Sequence, residues 1–329
     1  MKKYNIAVVG ATGMVGGSFL KVLSEKNLPI NKLYCFASAK SEGKIVTCMN
    51  REIKVEKLCK ENIVNKQIDY ALFSAGGKIS KEFAPIFAEI GAVVIDNSSC
   101  WRMDESVPLV VPQVNPDKAF VNNGIIANPN CSTIQCMAPL FVLDKLFGLT
   151  SVDFVTFQAV SGSGMKGVRD LELTSQGENP EFYPHSIYNN CLPQIDEFLE
   201  NGFTKEEMKM VNESRKILGL KDLKVSATCV RVPVANSHSI AVCATFKEKV
   251  DENKARQEME KFEGIIVLDQ PKNSVYPLAT IATDTDEVYV GRIRKDLYDD
   301  HRLHFFCVAD NIRKGAATNA IEILELFIK

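Results

Sequence analysis

The chain has 329 residues, of which 46% are hydrophobic, so it is long enough for about two domains with sizeable cores. Its 39 basic and 41 acidic residues give a net charge of −2 and form no basic block, which argues against nucleic acid or an anionic membrane as partners. Ten cysteines without Cys-x-x-Cys spacing, and no apolar stretch of membrane-spanning length, predict a cytoplasmic protein with reduced thiols.

The first predicted element is a buried strand over Tyr4–Val9, followed directly by the glycine-rich segment Gly10–Gly17. Apolar residues at helical spacing come next, between Phe19 and Leu23. A strand, a glycine turn and a helix in this order point backbone N–H groups at a diphosphate. The pattern favours a nucleotide site, and a tight turn without a ligand is the alternative.

A second strand, Lys32–Ala37, ends in Ser38-Ala39-Lys40-Ser41. An NAD-preferring fold commonly has an acidic residue at this place, where it binds the ribose 2′-hydroxyl. Hydroxyl groups and a lysine suit a 2′-phosphate instead, so the segment favours NADP over NAD. A solvated loop charge at Lys40 is the alternative.

Three further apolar runs predict more strands of a parallel sheet: Tyr70–Phe73, Ala92–Ile95 and Leu109–Val111. Loops at the carboxyl ends of such strands are where ligands bind in open parallel sheets.

Cys131 lies where the polar turn Asn128-Pro129-Asn130 gives way to a predicted helix through Ile134–Phe147. The first turn of a helix has unpaired N–H groups and a dipole that favour a thiolate. A thiolate there is a candidate nucleophile, and a small buried hydrophobe is the alternative.

Beyond Cys131 the predicted strands are longer: Ser151–Val160, Leu223–Val232 and Ser239–Phe246. With the helical stretches between them, they predict an antiparallel or mixed sheet covered by helices. The last segment, Lys314–Lys329, is amphipathic and is expected to pack back on the first domain. The fold class is therefore α/β, with an N-terminal Rossmann-type domain, an α+β second domain and a returning C-terminal helix.

Three polar residues stand out in the second domain. Gln158 precedes the glycine-rich segment Ser161–Gly164, where the backbone can approach a ligand, although a structural turn is equally compatible. Arg231 interrupts an apolar strand, so a paired arginine is expected, with either a protein or a substrate carboxylate as its partner. His238 follows the next turn and is a candidate acid/base for a cysteine nucleophile.

Two other groups of residues have simple alternatives. Glu213 and Lys216 lie three apart on a predicted helix over Lys205–Leu218, where they form either an ordinary salt bridge or two contacts to a charged ligand. His301, His304 and Cys307 lack a convincing ligand set, so no metal site is expected.

Eight segments extend this pattern in order along the chain: Gly10–Gly16, Asp96–Arg102, Asn128–Thr133, Gln158–Gly162, Glu213–Lys216, Arg231–Val234, His238–Ser239 and Asp310–Ala317. This ordered set resembles the aspartate-β-semialdehyde dehydrogenases over essentially the whole chain. The resemblance implies a cytoplasmic NADP-dependent oxidoreductase that converts L-aspartyl-4-phosphate to L-aspartate 4-semialdehyde and phosphate, in the biosynthesis of lysine through diaminopimelate, methionine and threonine. It also implies an NADP-binding domain of residues 1–130 plus 312–329, a catalytic and dimerisation domain of residues 131–311, and a homodimer or homotetramer.

Carried to matching positions, the resemblance implies a role for each motif residue. Cys131 becomes the acyl-enzyme nucleophile, His238 the acid/base and Gln158 a group that orients the substrate. The implied substrate-binding residues are Arg231 for the α-carboxylate, Glu213 for the amino group, Arg102 and Lys216 for phosphate, and Asn130. The implied NADP-binding residues are Gly10, Thr12, Gly13, Met14, Val15, Ser38, Lys40, Ser41, Ser161, Gly162 and Asn311.

The chain departs from the family pattern at two positions. Ser237 stands where many members have glycine, which leaves the geometry of the His238 loop open, and Lys40 stands where arginine is common. The alternatives are a related reductase of N-acetylglutamyl phosphate or glyceraldehyde phosphate type, or a non-catalytic NADP-binding regulatory protein. Arg231 and Glu213 together favour a substrate with both a carboxylate and a free amine.

Overall fold

The computed structural model describes residues 2–328. The chain forms two compact units, of which the first runs to Asn130 and resumes at Ala316, and the second is Cys131–Gly315. Within the described residues, the first unit is built on a seven-stranded sheet and the second on a six-stranded sheet.

The helices and strands are numbered in chain order. The strands are β1 (Tyr4–Val9), β2 (Ile30–Ala37), β3 (Ile45–Cys48), β4 (Arg51–Lys57), β5 (Tyr70–Phe73), β6 (Val93–Asp96), β7 (Ile125–Ala127), β8 (Leu149–Gln158), β9 (Lys224–Arg231), β10 (His238–Phe246), β11 (Ile265–Val267), β12 (Val288–Lys295) and β13 (Arg302–Ala309). The helices are α1 (Met14–Glu25), α2 (Lys60–Val64), α3 (Gly77–Glu89), α4 (Cys131–Phe147), α5 (Met165–Ser175), α6 (Lys205–Leu218), α7 (Glu252–Glu260), α8 (Ala279–Ala282) and α9 (Asn319–Ile328).

The sheet of the first unit has the strand order β3-β4-β2-β1-β5-β6-β7. All neighbours are parallel except β3, which forms an antiparallel hairpin with β4. Without β3, this is the 3-2-1-4-5-6 order of dinucleotide-binding folds, so the predicted Rossmann-type domain is confirmed. Because β1 lies between β2 and β5, the strand order reverses beside its carboxyl end, where such sheets bind ligands.

Burial explains why the first strand is continuously apolar. Residues 6–9 of β1 have no exposed surface, as expected for a parallel strand covered on both faces. The α1 side chains Phe19 and Leu23 share one hydrophobic cluster with Ile321 and Leu324 of α9. The C-terminal helix therefore returns to the first domain as predicted.

The structure corrects two predicted elements. Leu109–Val111 is not a strand, because the segment contributes only a single bridge from Leu109 to Ala127, and β7 lies beside β6 instead. Prolines at both ends of the run, at 108 and 112, lack the N–H group that a ladder needs. The predicted C-terminal helix begins as a π-helical turn, Arg313–Thr318, before α9, and Lys329 lies outside the described residues.

The sheet of the second unit has the order β11-β12-β13-β10-β8-β9. The pairs β8·β9 and β11·β12 are parallel and the others antiparallel, so the mixed form of the prediction is confirmed. Helix α4 is buried along most of its length, which matches its apolar composition on all sides. No helix within residues 2–328 has the length and apolarity that crossing a membrane requires.

Candidate active site

The topology of the second sheet brings three predicted residues to one edge. Gln158 and Arg231 are the last residues of the parallel strands β8 and β9 and stand opposite each other in register. His238 is the first residue of β10, which runs antiparallel to β8. The parallel strands β8 and β9 therefore end where the antiparallel strand β10 begins, so Gln158 and His238, which are 80 positions apart in the chain, become neighbours.

A glycine-rich turn covers this edge directly after β8. A Cβ added at Gly162 would lie 2.7 Å from Nη1 of Arg231 and 3.2 Å from Nε2 of His238. The first distance is too short for a Cβ and the second is tighter than an ordinary contact, so glycine lets the backbone lie against both groups. The turn therefore packs against two of the predicted site residues, Arg231 and His238.

Arg231 is buried, with 4% of its surface exposed. Its Nη1 donates to the carbonyl oxygen of Ala159 at 2.6 Å. Among the described residues, its Nε is buried without a hydrogen-bond partner. A buried guanidinium with an unused donor is expected to bind an anion, and the planar fork of arginine matches a carboxylate.

His238 is completely buried and its orientation is fixed by the backbone. Its Nδ1 accepts the N–H of Ala159 at 3.0 Å. In the neutral ring the proton is therefore on Nε2. Burial, and then the positive charge of Arg231, lower the pKa of His238 from 6.5 to about 3, so the ring is a neutral N–H donor at physiological pH.

Gln158 lies between the histidine and helix α6. Its Oε1 accepts a hydrogen bond from the hydroxyl of Thr156 at 3.0 Å, and its Nε2 donates to Oε1 of Glu206 at 3.1 Å. The same Nε2 is 3.4 Å from Nε2 of His238. Sequence reasoning missed Glu206, although a glutamate in the first turn of an otherwise well-predicted amphipathic helix was a visible signal.

Cys131 is the first residue of α4, as predicted, and is a half-buried thiol that forms no disulfide. One turn later, Gln135 donates to the carbonyl oxygens of His238 and Cys307, both at 3.2 Å. These bonds fix the start of the cysteine helix against β10 and β13. Gly315 also lies close, since a Cβ there would be 2.8 Å from Cβ of Cys131.

Helix α6 carries the predicted substrate residues Glu213 and Lys216. It begins with a complete capping box between Thr204 and Glu207, which satisfies two orphan donors of its first turn. Glu213 is 1% exposed and Lys216 is partly buried, one turn apart on the same face. Both have interactions within the structure, so they are not isolated surface charges.

The predicted cofactor residues of the second unit form a connected group beside His238. Oδ1 of Asn311 accepts from the hydroxyl of Ser161 at 3.1 Å and from the N–H of Ser237 at 2.9 Å. Ser237 has a φ of +72°, a conformation that favours glycine. Its hydroxyl is 2.9 Å from that of Thr283, so hydrogen bonds hold the serine in this conformation.

The predicted nucleotide loop of the first unit has the geometry of a diphosphate cradle. Gly10 has a φ of +88°, and a Cβ at Gly16 would lie 2.1 Å from its carbonyl oxygen. Gly13 precedes α1, whose first turn carries no acidic residue, so the N–H groups of Met14 and Val15 stand at an end that favours an anion.

The loop after β2 reaches the same end of the sheet. Thr12 donates to the hydroxyl of Ser41 at 3.3 Å. Ser41 ends a short 3₁₀ turn over Ala39–Ser41 that follows Ser38, and Lys40 is exposed there. The glycine turn and the predicted 2′-phosphate residues are therefore adjacent within the first unit.

Arg102 and Asn130 also belong to the first unit, and both are 7% exposed. The Nε and Nη2 atoms of Arg102 donate to the carbonyl oxygens of Asn128 and Asn97, each at 2.9 Å. These bonds fix the guanidinium plane against the backbone.

Two residues of the predicted His301, His304 and Cys307 group contact other side chains. His304 contacts Asp296 at 2.7 Å, and Cys307 is 3.6 Å from the completely buried thiol of Cys136. Within residues 2–328, no group of three or more histidine, cysteine or acidic side chains has an arrangement that could hold a metal ion.

Comparison with known proteins follows the same division of the chain. Residues 5–120 match the family model "Semialdehyde dehydrogenase, NAD binding domain", and residues 137–314 match "Semialdehyde dehydrogenase, dimerisation domain". The aspartate-semialdehyde dehydrogenase of Aquifex aeolicus is 51% identical over 99% of this chain and 98% of its own length. The chain belongs to the aspartate-semialdehyde dehydrogenase family.

Solved structures of aspartate-semialdehyde dehydrogenases agree. Aspartate semialdehyde dehydrogenase II from Vibrio cholerae, complexed with ASA, has a TM-score of 0.94 and 40% identity and covers 100% of this chain and 99% of its own. The enzyme from Candida albicans with NADP has a TM-score of 0.78 and 25% identity, with 99% and 98% coverage. The family resemblance of the eight motif segments is thereby confirmed, and the chain carries an NAD(P)-type domain and a dimerisation domain.

Proposed function

We propose that the chain is an NADPH-dependent aspartate-semialdehyde dehydrogenase, which reductively dephosphorylates L-aspartyl-4-phosphate to L-aspartate 4-semialdehyde. The observation that carries the proposal is the buried edge where Gln158, Arg231 and His238 meet. A buried arginine with an unused Nε fits the α-carboxylate of such a substrate. The full-length likeness to named members of the family supports the same reaction.

Cys131 is the proposed nucleophile. Its thiolate attacks the acyl carbon, the bond from that carbon to the phosphate oxygen breaks, and phosphate leaves with the electron pair. Arg102 and Lys216 are the proposed phosphate ligands, since cations favour the departing anion. The product of this half-reaction is a thioester on Cys131.

Arg231, Glu213 and Asn130 are the proposed residues that hold the amino-acid part of the substrate. Arg231 binds the carboxylate and Glu213 the ammonium group. Glu213 is nearly completely buried, where a carboxylate is expected to be paired with a cation. Such pairing selects against N-acetylglutamyl phosphate, whose nitrogen carries no charge.

His238 is the proposed acid/base, and Gln158 orients the reacting carbonyl. With Nδ1 engaged by the backbone, Nε2 is the nitrogen that serves the substrate oxygen. A substrate carboxylate on Arg231 would neutralise the charge that helps to lower the pKa of His238, so substrate binding would bring the ring closer to its working range.

NADP is the proposed cofactor, held by Gly10, Thr12, Gly13, Met14, Val15, Ser38, Lys40, Ser41, Ser161, Gly162 and Asn311. When bound, NADPH would supply the hydride that reduces the thioester. The uncapped start of α1 and the glycine backbone of its turn fit a diphosphate. Lys40 and the neighbouring hydroxyls fit a 2′-phosphate, and Lys57 ends β4 beside Ala37 at the same edge.

A homodimer or homotetramer is the proposed assembly, supported by the match of residues 137–314 to a dimerisation domain. A cytoplasmic location is proposed on the ten free thiols. The product would enter lysine, methionine and threonine synthesis.

The test is the phosphate- or arsenate-dependent reduction of NADP by L-aspartate 4-semialdehyde. We expect activity in the native protein, none in Cys131→Ala, and native activity in Cys191→Ala, which removes an exposed thiol as a matched control. A folded, NADP-binding native protein without this activity would refute the proposed substrate, and assays with N-acetylglutamate semialdehyde and glyceraldehyde 3-phosphate would then follow.

A further inference from the structure

Glu206 is a buried carboxylate in contact with the proposed catalytic residues, yet no step of the reaction uses it directly. Only 5% of its surface is exposed, and it lies in the first turn of α6. Its Oε1 accepts from Nε2 of Gln158 at 3.1 Å, and its Oε2 is 3.0 Å from Nζ of Lys209.

The surroundings keep Glu206 ionised. Lys209 also pairs with Asp196 at 2.9 Å. Burial acts to lower the pKa of Lys209, but the carboxylates of Glu206 and Asp196 outweigh it and hold that pKa above its usual value. A protonated lysine on one side and a helix N-terminus on the other both favour the carboxylate form.

An ionised carboxylate accepts hydrogen bonds and donates none, so it determines which way the amide of Gln158 points. The amide nitrogen must face Glu206, which leaves Oε1 to accept from Thr156 at 3.0 Å. The reversed amide would put two acceptor oxygens 3.1 Å apart at Glu206. The charge of Glu206 therefore selects one of two amide orientations that are similar in shape.

The selected orientation puts two donors side by side. Nε2 of Gln158 is 3.4 Å from Nε2 of His238, whose proton is on that atom because Nδ1 accepts from Ala159. Two donors cannot bond to each other, so each retains a hydrogen. One anionic acceptor can receive both, as in an oxyanion hole.

We infer that Glu206 is a positioning residue, which fixes the amide of Gln158 so that Gln158 and His238 present paired N–H donors to the substrate oxygen. The inference rests on the proposed function. When sulfur adds to the carbonyl carbon, the π electron pair moves to oxygen, and the two donors stabilise that charge. When the carbon–sulfur bond breaks again, the pair returns to the carbonyl and the sulfur leaves as thiolate.

The test compares Glu206→Gln, which keeps size and removes charge, with Glu207→Gln, which alters the neighbouring buried carboxylate. Glu207 accepts from the backbone N–H groups of Thr204 and Cys229, and within residues 2–328 no hydrogen bond joins it to Gln158 or His238. In the NADP-reduction assay we expect Glu206→Gln to lower kcat about 10- to 100-fold, with KM changed less than about 3-fold. Glu207→Gln should lower the melting temperature and leave kcat within about 3-fold.

A double-mutant cycle with Gln158→Met tests whether Glu206 acts through the glutamine. Once Gln158 is replaced, adding Glu206→Gln should cost less than about 3-fold in kcat. Glu206→Asp, which retains the charge, should recover part of the activity. Additive losses in the cycle, or native kcat in folded Glu206→Gln, would overturn the inference.

Nuclear magnetic resonance of ¹⁵N-labelled protein separates this inference from the proposed function. The native spectrum should show one set of Gln158 side-chain amide signals and a proton on Nε2 of His238, and Glu206→Gln should alter the Gln158 set. An inactive native protein with these signals would refute the function and retain the positioning role. Unchanged Gln158 signals in Glu206→Gln would refute the positioning role in an active enzyme.

Discussion

Replacement of Arg231 by methionine should weaken productive binding of substrate by a large and calculable amount. Its Nη1 is committed to the backbone, while Nε is buried without a partner among the described residues. Two charge-assisted hydrogen bonds to a carboxylate contribute about 1.5–3 kcal/mol each, or about 3–6 kcal/mol together. At about 1.4 kcal/mol for each factor of ten, kcat/KM should fall roughly 10²- to 10⁴-fold.

The assay is NADP reduction with two aldehydes, L-aspartate 4-semialdehyde and 3-aminopropanal, which lacks only the α-carboxylate. The native enzyme should lose as much kcat/KM on the truncated substrate as Arg231→Met loses on the full one. The variant should lose little more when the carboxylate is also removed, because the interaction is already absent. Arg231→Lys, which keeps the charge without the planar fork, should fall between native and methionine.

Removal of Arg231 has two side effects. The carbonyl oxygen of Ala159 loses its donor, which acts on either aldehyde equally and does not enter the difference between substrates. His238 loses a neighbouring positive charge, and because the substrate carboxylate would also offset that charge, kcat/KM is compared as a pH profile for each aldehyde. Equal losses for Arg231→Met on both aldehydes would refute the assignment of Arg231 to the carboxylate.

Three further predictions concern the turn, the histidine and the cofactor. Gly16→Ala should lower stability by about 1–3 kcal/mol and abolish NADP binding, because its Cβ would be 2.1 Å from the carbonyl oxygen of Gly10. The control Gly17→Ala, whose Cβ would have no atom within 4 Å, should raise the melting temperature. Burial and the charge of Arg231 lower the folded-state pKa of His238 from 6.5 to about 3, so its contribution to stability is present above pH 6.5. As pH falls from 6.5 towards 3, the free energy of unfolding should fall by about 1.4 kcal/mol per pH unit. Urea unfolding at a series of pH values should show a weaker pH dependence of this free energy in His238→Gln. Lys40→Ala should raise KM for NADP about tenfold and leave KM for NAD unchanged in steady-state assays, and an equal effect on both cofactors would contradict a 2′-phosphate contact.

Short sequence patterns predicted the strands, turns and helices that are specified by residues close together in the chain. The strand, glycine turn and helix at the start of the chain lie where the pattern indicated, and α6 has its predicted bounds, Lys205–Leu218. Its capping box explains why, since the first turn is specified by side chains three residues apart. Cys131 begins its helix for a related reason, because a polar turn precedes a continuous apolar run.

Tertiary context decided what the pattern did not predict. Leu109–Val111 is as apolar as a strand, yet its flanking prolines restrict it to one bridge, and the shorter β7 takes the place beside β6. The β3–β4 hairpin at the sheet edge was not predicted, although β3 is rich in β-forming residues and Ile53 and Val55 of β4 alternate with charged ones. Strand pairing depends on neighbours that are distant in sequence, so periodicity alone does not fix it.

The candidate site contains two kinds of residue: those proposed to contact the substrate and those that hold them in place. Cys131, Arg231 and His238 were recognisable because a thiol, a guanidinium in an apolar strand and a scarce imidazole have few alternative uses. Gln135 and Glu206 act through other residues, so their types alone carry little information. Their positions were more informative than their types. Gln135 lies one helical turn after Cys131, and Glu206 lies in the first turn of α6.

Burial of the polar groups links the fold to the proposed chemistry. An unpartnered buried donor such as Nε of Arg231 costs about 1–3 kcal/mol in the free protein, and a ligand carboxylate removes that cost on binding. The same burial keeps His238 neutral, and the hydrogen bond to Glu206 keeps the amide of Gln158 in one orientation. The fold therefore gives up stability at this edge of the sheet, and under the proposed function the substrate oxygen would meet donors that need no rearrangement when its charge develops.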